Sequence, residues 1–211
     1  MRLNYGQVMS QDALSIEDAL LDATEAAIAE HGIARVSLER IGEHAGMSRA
    51  TIYRRGVTVE TLLNAAIGRA MASFRASLWE SLTGLDPAAV RLRAAAVAIL
   101  AATEQHLPVL TSMFAEAGGG HADGPFHTKG PDGLILDVFA APFERLLADG
   151  ALDGSLRPVP AKIAATVLLS TTVWGYVHLR RSHDWPVERA RDAVLELALG
   201  GVLKPDVEGS E

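Results

Sequence analysis

Apolar residues recur three or four positions apart along most of the chain, with polar residues between them. This spacing places apolar side chains on one face of an α-helix, whereas a half-buried strand would alternate apolar and polar residues. No segment keeps such an alternation over the length of a strand. The pattern therefore predicts an all-α fold of about nine helices.

Residues that cap helices set the predicted bounds. Hydroxyl side chains accept hydrogen bonds from the free N–H groups at a helix start, and glycine adopts the left-handed conformation that commonly follows a helix end. Predicted starting caps are Ser15, Ser37, Ser48 and Thr58, and predicted closing glycines are Gly32 and Gly46. The predicted helices span residues 16–31, 38–45, 49–55, 59–82, 87–106, 108–117, 134–147, 161–181 and 187–202.

Prolines and glycines divide the second half of the chain. Asp86 precedes Pro87, a pair that predicts a helix start with Asp86 as its cap. Residues 118–133 contain six glycines and two prolines and are predicted to form a loop. Pro142 is expected to kink or break the seventh helix.

The composition narrows the possible chemistry. The 211 residues are 49% hydrophobic and 21% charged, which is typical of a folded globular protein. Without cysteine, the chain cannot use a thiolate nucleophile or a cysteine-ligated metal. The longest apolar run, residues 94–102, is far shorter than the roughly 18–20 residues that cross a bilayer. The first 15 residues lack the apolar segment of a signal peptide. We therefore expect no membrane partner and a cytoplasmic location.

No motif groups a nucleophile, a base and an orienting acid, and the seven histidines are scattered along the chain. We therefore expect no enzymatic activity, no catalytic residue and no cofactor. A small all-α hydrolase or lyase stays open as an alternative.

Residues 35–56 carry the clearest functional signal. The turn at 45–48 is too short for its two flanking helices to pack antiparallel, so they must cross steeply, as in a helix-turn-helix. Gly46 suits the left-handed position of this turn, and Gly42 permits close approach of the second helix. The residues expected to form the small shared core are Ile41, Ala45, Met47 and Ile52.

Positive charge is concentrated in this segment. The whole chain has a net charge of −7, yet residues 35–55 hold five arginines against two acidic residues. A local positive charge favours contact with the phosphates of a nucleic acid. Arg35 and Arg40 are expected to pair with Glu39 and Glu43, and we leave them out of the candidate site.

Residues 20–63 resemble the DNA-binding domain of TetR/AcrR-family transcriptional regulators along their whole length. The matching features are Glu30-His31-Gly32, Val36-Ser37, Ile41-Gly42, Ala45-Gly46-Met47-Ser48, Thr51-Ile52-Tyr53-Arg54-Arg55 and Glu60-Thr61-Leu62-Leu63. The resemblance implies a homodimer with an N-terminal three-helix domain that binds operator DNA. It further implies a larger helical domain for a small-molecule effector and for dimerisation. The implied DNA-binding residues are Ser37, Ser48, Arg49, Ala50, Thr51, Tyr53, Arg54 and Arg55.

The implied organisation has four parts: a flexible segment 1–14, a helix-turn-helix domain 15–60, an effector-binding and dimerisation domain 61–204, and a polar tail 205–211. The implied function is a ligand-responsive regulator, usually a repressor, that a small effector releases from a palindromic operator. The aliphatic, methionine and phenylalanine residues of the fifth to seventh helices suggest an apolar or amphipathic effector. Candidate effector-binding residues are Leu110, Met113, Phe114, Phe139, Phe143 and Trp174.

Two positions depart from the family pattern. Gly56 stands where the family usually has an aromatic residue, and Val59 stands where a phosphate-binding lysine usually opens the fourth helix. These departures leave open the alternative that the protein binds a ligand or a partner and has a weakened affinity for DNA.

The last two helices are predicted to be the dimer seam, because they carry more apolar surface than one small core needs. Possible metal ligands in the glycine-rich loop are interpreted as idle, so no metal site is predicted there; they are His121, Asp123, His127 and Asp132.

Overall fold

The computed structural model describes residues 18–116, 127–129, 135–137 and 139–204, with only the backbone described at 114–116 and in 127–129 and 135–137. Several predictions made from the sequence lie outside the described residues. They concern the segment 1–14, the Ser15 cap, most of the loop 118–133 with its possible metal ligands, the tail 205–211 and the side chain of Phe114.

Nine α-helices are present in the described part of the chain. They are α1 (Asp18–His31), α2 (Leu38–Ala45), α3 (Arg49–Arg54), α4 (Val59–Thr83), α5 (Ala88–Gln105), α6 (Leu107–Glu116), α7 (Ala140–Leu152), α8 (Ala161–Arg181) and α9 (Val187–Gly200). A single 3₁₀ turn, Ile33–Arg35, follows α1. The predicted all-α fold class is confirmed.

The caps predicted at the starts of α2, α3 and α4 are present in the structure. The Ser37, Ser48 and Thr58 hydroxyls each accept the backbone N–H three residues ahead, at 3.4, 3.1 and 3.1 Å respectively. Gly32 and Gly46 have φ angles of 74° and 64°, the left-handed region that ends a helix without steric cost.

The start of α5 differs from the prediction. The Ala88 N–H donates to Asp153 Oδ2 at 2.8 Å, and the Ala89 N–H donates to Ser155 Oγ at 3.0 Å. The helix is therefore capped by a segment 65 residues away in sequence rather than by Asp86. The sequence could not reveal this because the capping group is not local.

The region around α7 also needs correction. Two short antiparallel strands, β1 (His127–Lys129) and β2 (Ile135–Asp137), pair where a loop and the seventh helix were predicted. Helix α7 begins only at Ala140, so Pro142 lies in its first turn. A proline there removes an N–H that has no partner within the helix, so the predicted kink is wrong.

The chain divides into two compact units. In the first, residues 18–73 and 106–116, α1 packs on α2 and on α6. Its main apolar cluster contains Leu20, Ala23, Ala27, Ile41, Ile52 and Leu62. The division falls within α4, after Ser73, whereas the domain boundary after residue 60 stays a prediction.

The second unit comprises Phe74–Gln105 and the described residues from 127 onward. Within it, α7 packs on α5 and α8, and α8 packs on α9. The Phe74 and Phe139 rings have their centroids 5.6 Å apart in this core. Glycine is needed at position 150 of α7, because the Leu156 side chain occupies the space that a Cβ would need.

Among the described residues, no single helix has the length and apolar character to cross a membrane. Helices α5 and α6 reach the length and apolar character of a membrane span only when they are taken together as a broken pair.

Candidate nucleic-acid interface

A close main-chain contact fixes the crossing of α2 and α3. The Met47 N–H donates to the Gly42 carbonyl at 2.9 Å, and the Met47 carbonyl oxygen occupies the space that a Cβ on Gly42 would need. Ile41 and Ile52 are fully buried beneath this turn. The predicted helix-turn-helix core is therefore present, with α3 held by its single buried isoleucine.

The remaining face of α3 is open to solvent. Tyr53 is a large aromatic side chain, yet 73% of its surface is exposed. The predicted contact residues Arg49, Ala50, Arg54 and Arg55 are exposed as well. A six-residue helix that buries one side chain and exposes an aromatic ring and two arginines, with the exposed Arg55 directly after it, has an outer face suited to DNA.

The serine and threonine candidates have local hydrogen-bonding partners. Ser48 Oγ accepts the Thr51 N–H at 3.1 Å and lies 2.9 Å from Thr51 Oγ1. Ser37 Oγ accepts the Arg40 N–H at 3.4 Å. Each hydroxyl is therefore a helix cap, and its additional contact with a phosphate stays a prediction.

Arg49 forms an ion pair across the motif. Its Nη1 lies 2.7 Å from Glu39 Oε1 on α2, and both side chains are mostly exposed. Hydrogen bonds from the backbone N–H of Glu39 and from Ser37, together with the Arg49 charge, hold the pKa of Glu39 below its usual value. Glu39 is therefore anionic at neutral pH and is the counter-ion of Arg49.

The partners expected for Arg35 and Arg40 were wrong. Arg35 Nε donates to the His31 carbonyl at 2.8 Å, and Arg40 Nη1 donates to the Arg35 carbonyl. These two side chains donate to main-chain oxygens at the end of α1 and at the end of the 3₁₀ turn that follows it, rather than to the acidic residues near them in sequence.

The two departures from the family pattern occupy the α3–α4 junction. Gly56 has a φ of 73° and no atom within 4 Å of an added Cβ, so it ends α3 as a left-handed residue in open space. The next residue, Val57, packs on the apolar cluster of the first unit. Val59 is the first residue of α4, which Thr58 caps.

The predicted effector residues are divided between the two units. Leu110 and Met113 are buried in the first, and Phe139 and Phe143 are buried in the second. Trp174, also in the second unit, is half-buried. Their grouping around one ligand stays a prediction.

Sequence reasoning missed two polar groups within these units. Glu104, Tyr176 and Arg180 form a hydrogen-bonded cluster between α5 and α8. His106 is 2% exposed, and neither of its ring nitrogens has a hydrogen-bond partner among the described residues, although Nδ1 lies 3.6 Å from Glu25 Oε1. Neither group has a local sequence signal, because its members are far apart in the chain.

Residues 20–66 match the model of the family described as bacterial regulatory proteins, tetR family. The chain carries a tetR-family regulatory domain. This confirms the resemblance drawn from the sequence, and the match covers α1, α2 and α3 and the start of α4. No curated protein has a significantly similar sequence.

Solved regulator structures share the fold of the chain. SmeT, the repressor of the Stenotrophomonas maltophilia multidrug efflux pump SmeDEF, is 24% identical, with a TM-score of 0.66 over 94% of this chain and 96% of that one. The regulator PfmR from Thermus thermophilus is 21% identical, with a TM-score of 0.67 over 86% and 97% of the two chains. The ketosteroid regulator KstR2 of Mycobacterium tuberculosis is 19% identical, with a TM-score of 0.65 over 97% and 100%.

Proposed function

We propose that the protein is a ligand-responsive transcriptional regulator, most simply a repressor, that binds operator DNA through α3. The observation that carries the proposal is the outer face of α3 within a tetR-family domain. This face exposes Tyr53, Arg54 and Arg55 while Ile52 anchors the helix from behind. A short, anchored helix of this kind fits the major groove.

The side chains on α3 have different proposed roles. Arginine guanidinium groups bind phosphates with charge-assisted hydrogen bonds, which favours Arg54 and Arg55 as backbone contacts. Thr51 and Tyr53 lie nearer the middle of the helix and are proposed to reach base edges or sugar groups. Ser37 and Ser48 are proposed to contact phosphates through their hydroxyl groups, because they lie at helix starts, where the remaining free N–H groups attract anions.

A two-fold homodimer is proposed to present two such helices to a palindromic site. Ile163 and Val167 on α8 support it, since they are 68% and 59% exposed and lie four residues apart on one helical face. Leu197 on α9 is 78% exposed. Burial of large aliphatic side chains against a second copy of the chain would stabilise a dimer.

A small apolar or amphipathic effector is proposed to control DNA binding. The fold neighbours support this class of ligand: SmeT has a triclosan complex, and KstR2 is named as a ketosteroid regulator. The candidate contacts stay Leu110, Met113, Phe114, Phe139, Phe143 and Trp174. An effector that favours the non-binding form of the dimer weakens the affinity for DNA. Bound DNA weakens the affinity for the effector by the same factor.

The other functions left open by the sequence have less support. A hydrolase or lyase would need a grouped nucleophile, base and acid, and no sequence motif groups them. The alternative of a partner-binding protein with weakened DNA affinity is supported only by Gly56 and Val59. A cytoplasmic location follows from the proposed role at operator DNA.

The decisive experiment is equilibrium binding of fluorescent DNA from upstream of the protein's own gene, measured by anisotropy against a scrambled duplex. We expect the cognate duplex to bind at least 10-fold more tightly, and Arg54→Ala to weaken binding. Arg145→Ala, which removes an exposed arginine in the second unit, is the matched control and should bind as wild type.

Equal binding to both duplexes by the wild type would overturn the proposal. So would equal losses with Arg54→Ala and Arg145→Ala, because the contact would then reflect only net charge.

A further inference from the structure

Two imidazoles and a carboxylate meet where α1 and α2 end. His44 Nε2 lies 3.2 Å from Glu30 Oε2, and His31 Nε2 lies 3.7 Å from Glu30 Oε1. One ligand-type atom from each of the three side chains lies within 4.8 Å of the others. We propose that Glu30, His31 and His44 bind a divalent transition-metal ion of the zinc class.

The donor set fits this class of metal. Imidazole nitrogen is a preferred ligand for Zn²⁺, Cu²⁺ and Ni²⁺, and two histidines with one carboxylate form a recurrent three-ligand zinc set. Metal–ligand bonds of about 2.0–2.1 Å place the ligand atoms of a tetrahedral zinc roughly 3.3–3.5 Å apart. The distances from the two Glu30 oxygens to the two imidazoles lie on either side of this value, and one atom from each residue lies within 4.8 Å of the others. Side-chain rotation is therefore needed to bring the three atoms to ligand spacing, and it leaves a fourth position for water.

The surroundings hold the imidazoles in place. The His31 and His44 side chains are only 23% and 29% exposed, whereas that of Glu30 is 61% exposed. The imidazoles are therefore more sheltered than the carboxylate, and the carboxylate side gives an ion access from solvent. Arg35, the nearby cation, donates to the main-chain oxygen of His31 rather than to its ring.

The position of the cluster favours a cation. His31 is the last residue of α1, and His44 is in the last turn of α2. The carbonyl groups at a helix C-terminus carry partial negative charge, and both helices end beside the three side chains. An ion bound there ties α1 to α2 directly behind the turn that leads into α3.

The test uses untagged full-length protein without DNA, so its outcome is independent of the proposed regulatory function. Calorimetry with Zn²⁺ measures affinity and stoichiometry, and visible absorption with Co²⁺ reports the ligand geometry. We expect one such site per chain, the intense Co²⁺ bands of a four-coordinate ion, and a higher unfolding temperature with Zn²⁺. His44→Gln should lower the affinity at least 10-fold and abolish this stabilisation.

Two further variants make the test specific. Glu30→Gln changes an exposed side chain, so it tests the same site if His44→Gln proves poorly folded by circular dichroism. His178→Gln is the control, because the His178 and His183 ring nitrogens form an exposed pair 3.2 Å apart in the second unit. Wild-type metal affinity in folded His44→Gln or Glu30→Gln, or a loss found only in His178→Gln, would overturn the proposal.

Discussion

Met47 and Gly42 are joined by two main-chain relationships at the centre of the helix-turn-helix. The Met47 N–H donates to the Gly42 carbonyl at 2.9 Å, and the Met47 carbonyl occupies the space where a side chain on residue 42 would begin. Glycine is therefore required at 42 for close approach, whereas at 46 it is favoured by a left-handed φ of 64°.

Gly42→Ala should weaken both stability and DNA binding. The added methyl group meets a main-chain oxygen that cannot move without shifting α3, and overpacking of this kind costs about 1–3 kcal/mol. Urea unfolding and anisotropy with cognate DNA measure the two effects. Gly200→Ala is the control, because no atom of the described residues lies within 4 Å of a Cβ added there, at the end of α9. Unchanged stability in Gly42→Ala would contradict the close contact.

Thr51→Val and Arg54→Ala should weaken DNA binding in different ways. Arg54→Ala removes the proposed phosphate contact, so affinity should fall for all duplexes and the salt slope should shrink by about one unit per half-site. Thr51→Val should change sequence preference more than the salt slope, because a base contact carries sequence information. Titrations of cognate and random DNA at several salt concentrations measure both. The same loss pattern in both variants would refute these roles.

Glu39→Gln should strengthen DNA binding several-fold. In the free protein the Glu39 carboxylate holds Arg49 at 2.7 Å, so binding a phosphate through Arg49 requires breaking this pair. Glu43→Gln on the same helix removes an equal charge and is the matched control. Equal gains in both variants would mean that Arg49 has no special role and that net charge alone changes affinity.

The cluster between α5 and α8 should make the second unit sensitive to acid. Glu104 Oε1 lies 2.7 Å from Arg180 Nη2, and hydrogen bonds from Arg180 and then Tyr176 lower the pKa of Glu104. A lowered folded pKa adds stability that is complete above the unfolded value of about 4.3 and is lost as pH falls through the folded value. Glu104→Gln should lower the free energy of unfolding by about 1–3 kcal/mol at pH 7. In urea unfolding at pH 3–7, the variant should lose less stability than wild type as the pH falls.

Tyr176 should add sensitivity to alkali. Burial, and then its 2.8 Å hydrogen bond to Glu104, raise the pKa of the Tyr176 phenol. A raised folded pKa adds stability that is complete below the unfolded value of about 10 and is lost as pH rises above it. Tyr176→Phe should therefore be less stable at pH 8, and the stability difference from wild type should shrink by pH 11. A constant difference across this range would refute the assignment.

Ile163→Glu should convert a dimer into monomers. A charge on an exposed apolar position of α8 leaves the isolated chain folded but is costly to bury against a second copy. Light scattering should report about twice the 22.4 kDa chain mass for wild type and the chain mass for the variant. Leu85→Glu, at a fully exposed turn position, should stay dimeric. A monomeric wild type at micromolar concentration would remove the basis for a palindromic site.

The sequence by itself determined the elements whose signals are local. The caps at Ser37, Ser48 and Thr58 act over three residues, and the glycine closures at Gly32 and Gly46 depend on backbone conformation alone. Helix α8 also has its predicted bounds, although no side-chain cap begins it and no glycine ends it. The helix-turn-helix was therefore readable from the sequence, because hydroxyl caps and left-handed glycines act within one helical turn.

Tertiary structure decided the features that join distant residues. Asp153 caps a helix start 65 residues before it, Glu104 and Arg180 pair across 76 residues, and Arg69 reaches Asp22 on α1. Such partners carry no periodic signal, because their spacing along the chain is set by the packing of whole helices. The pairing of Arg49 with Glu39 was hidden for the same reason, since only the crossing of α2 and α3 brings the two residues together.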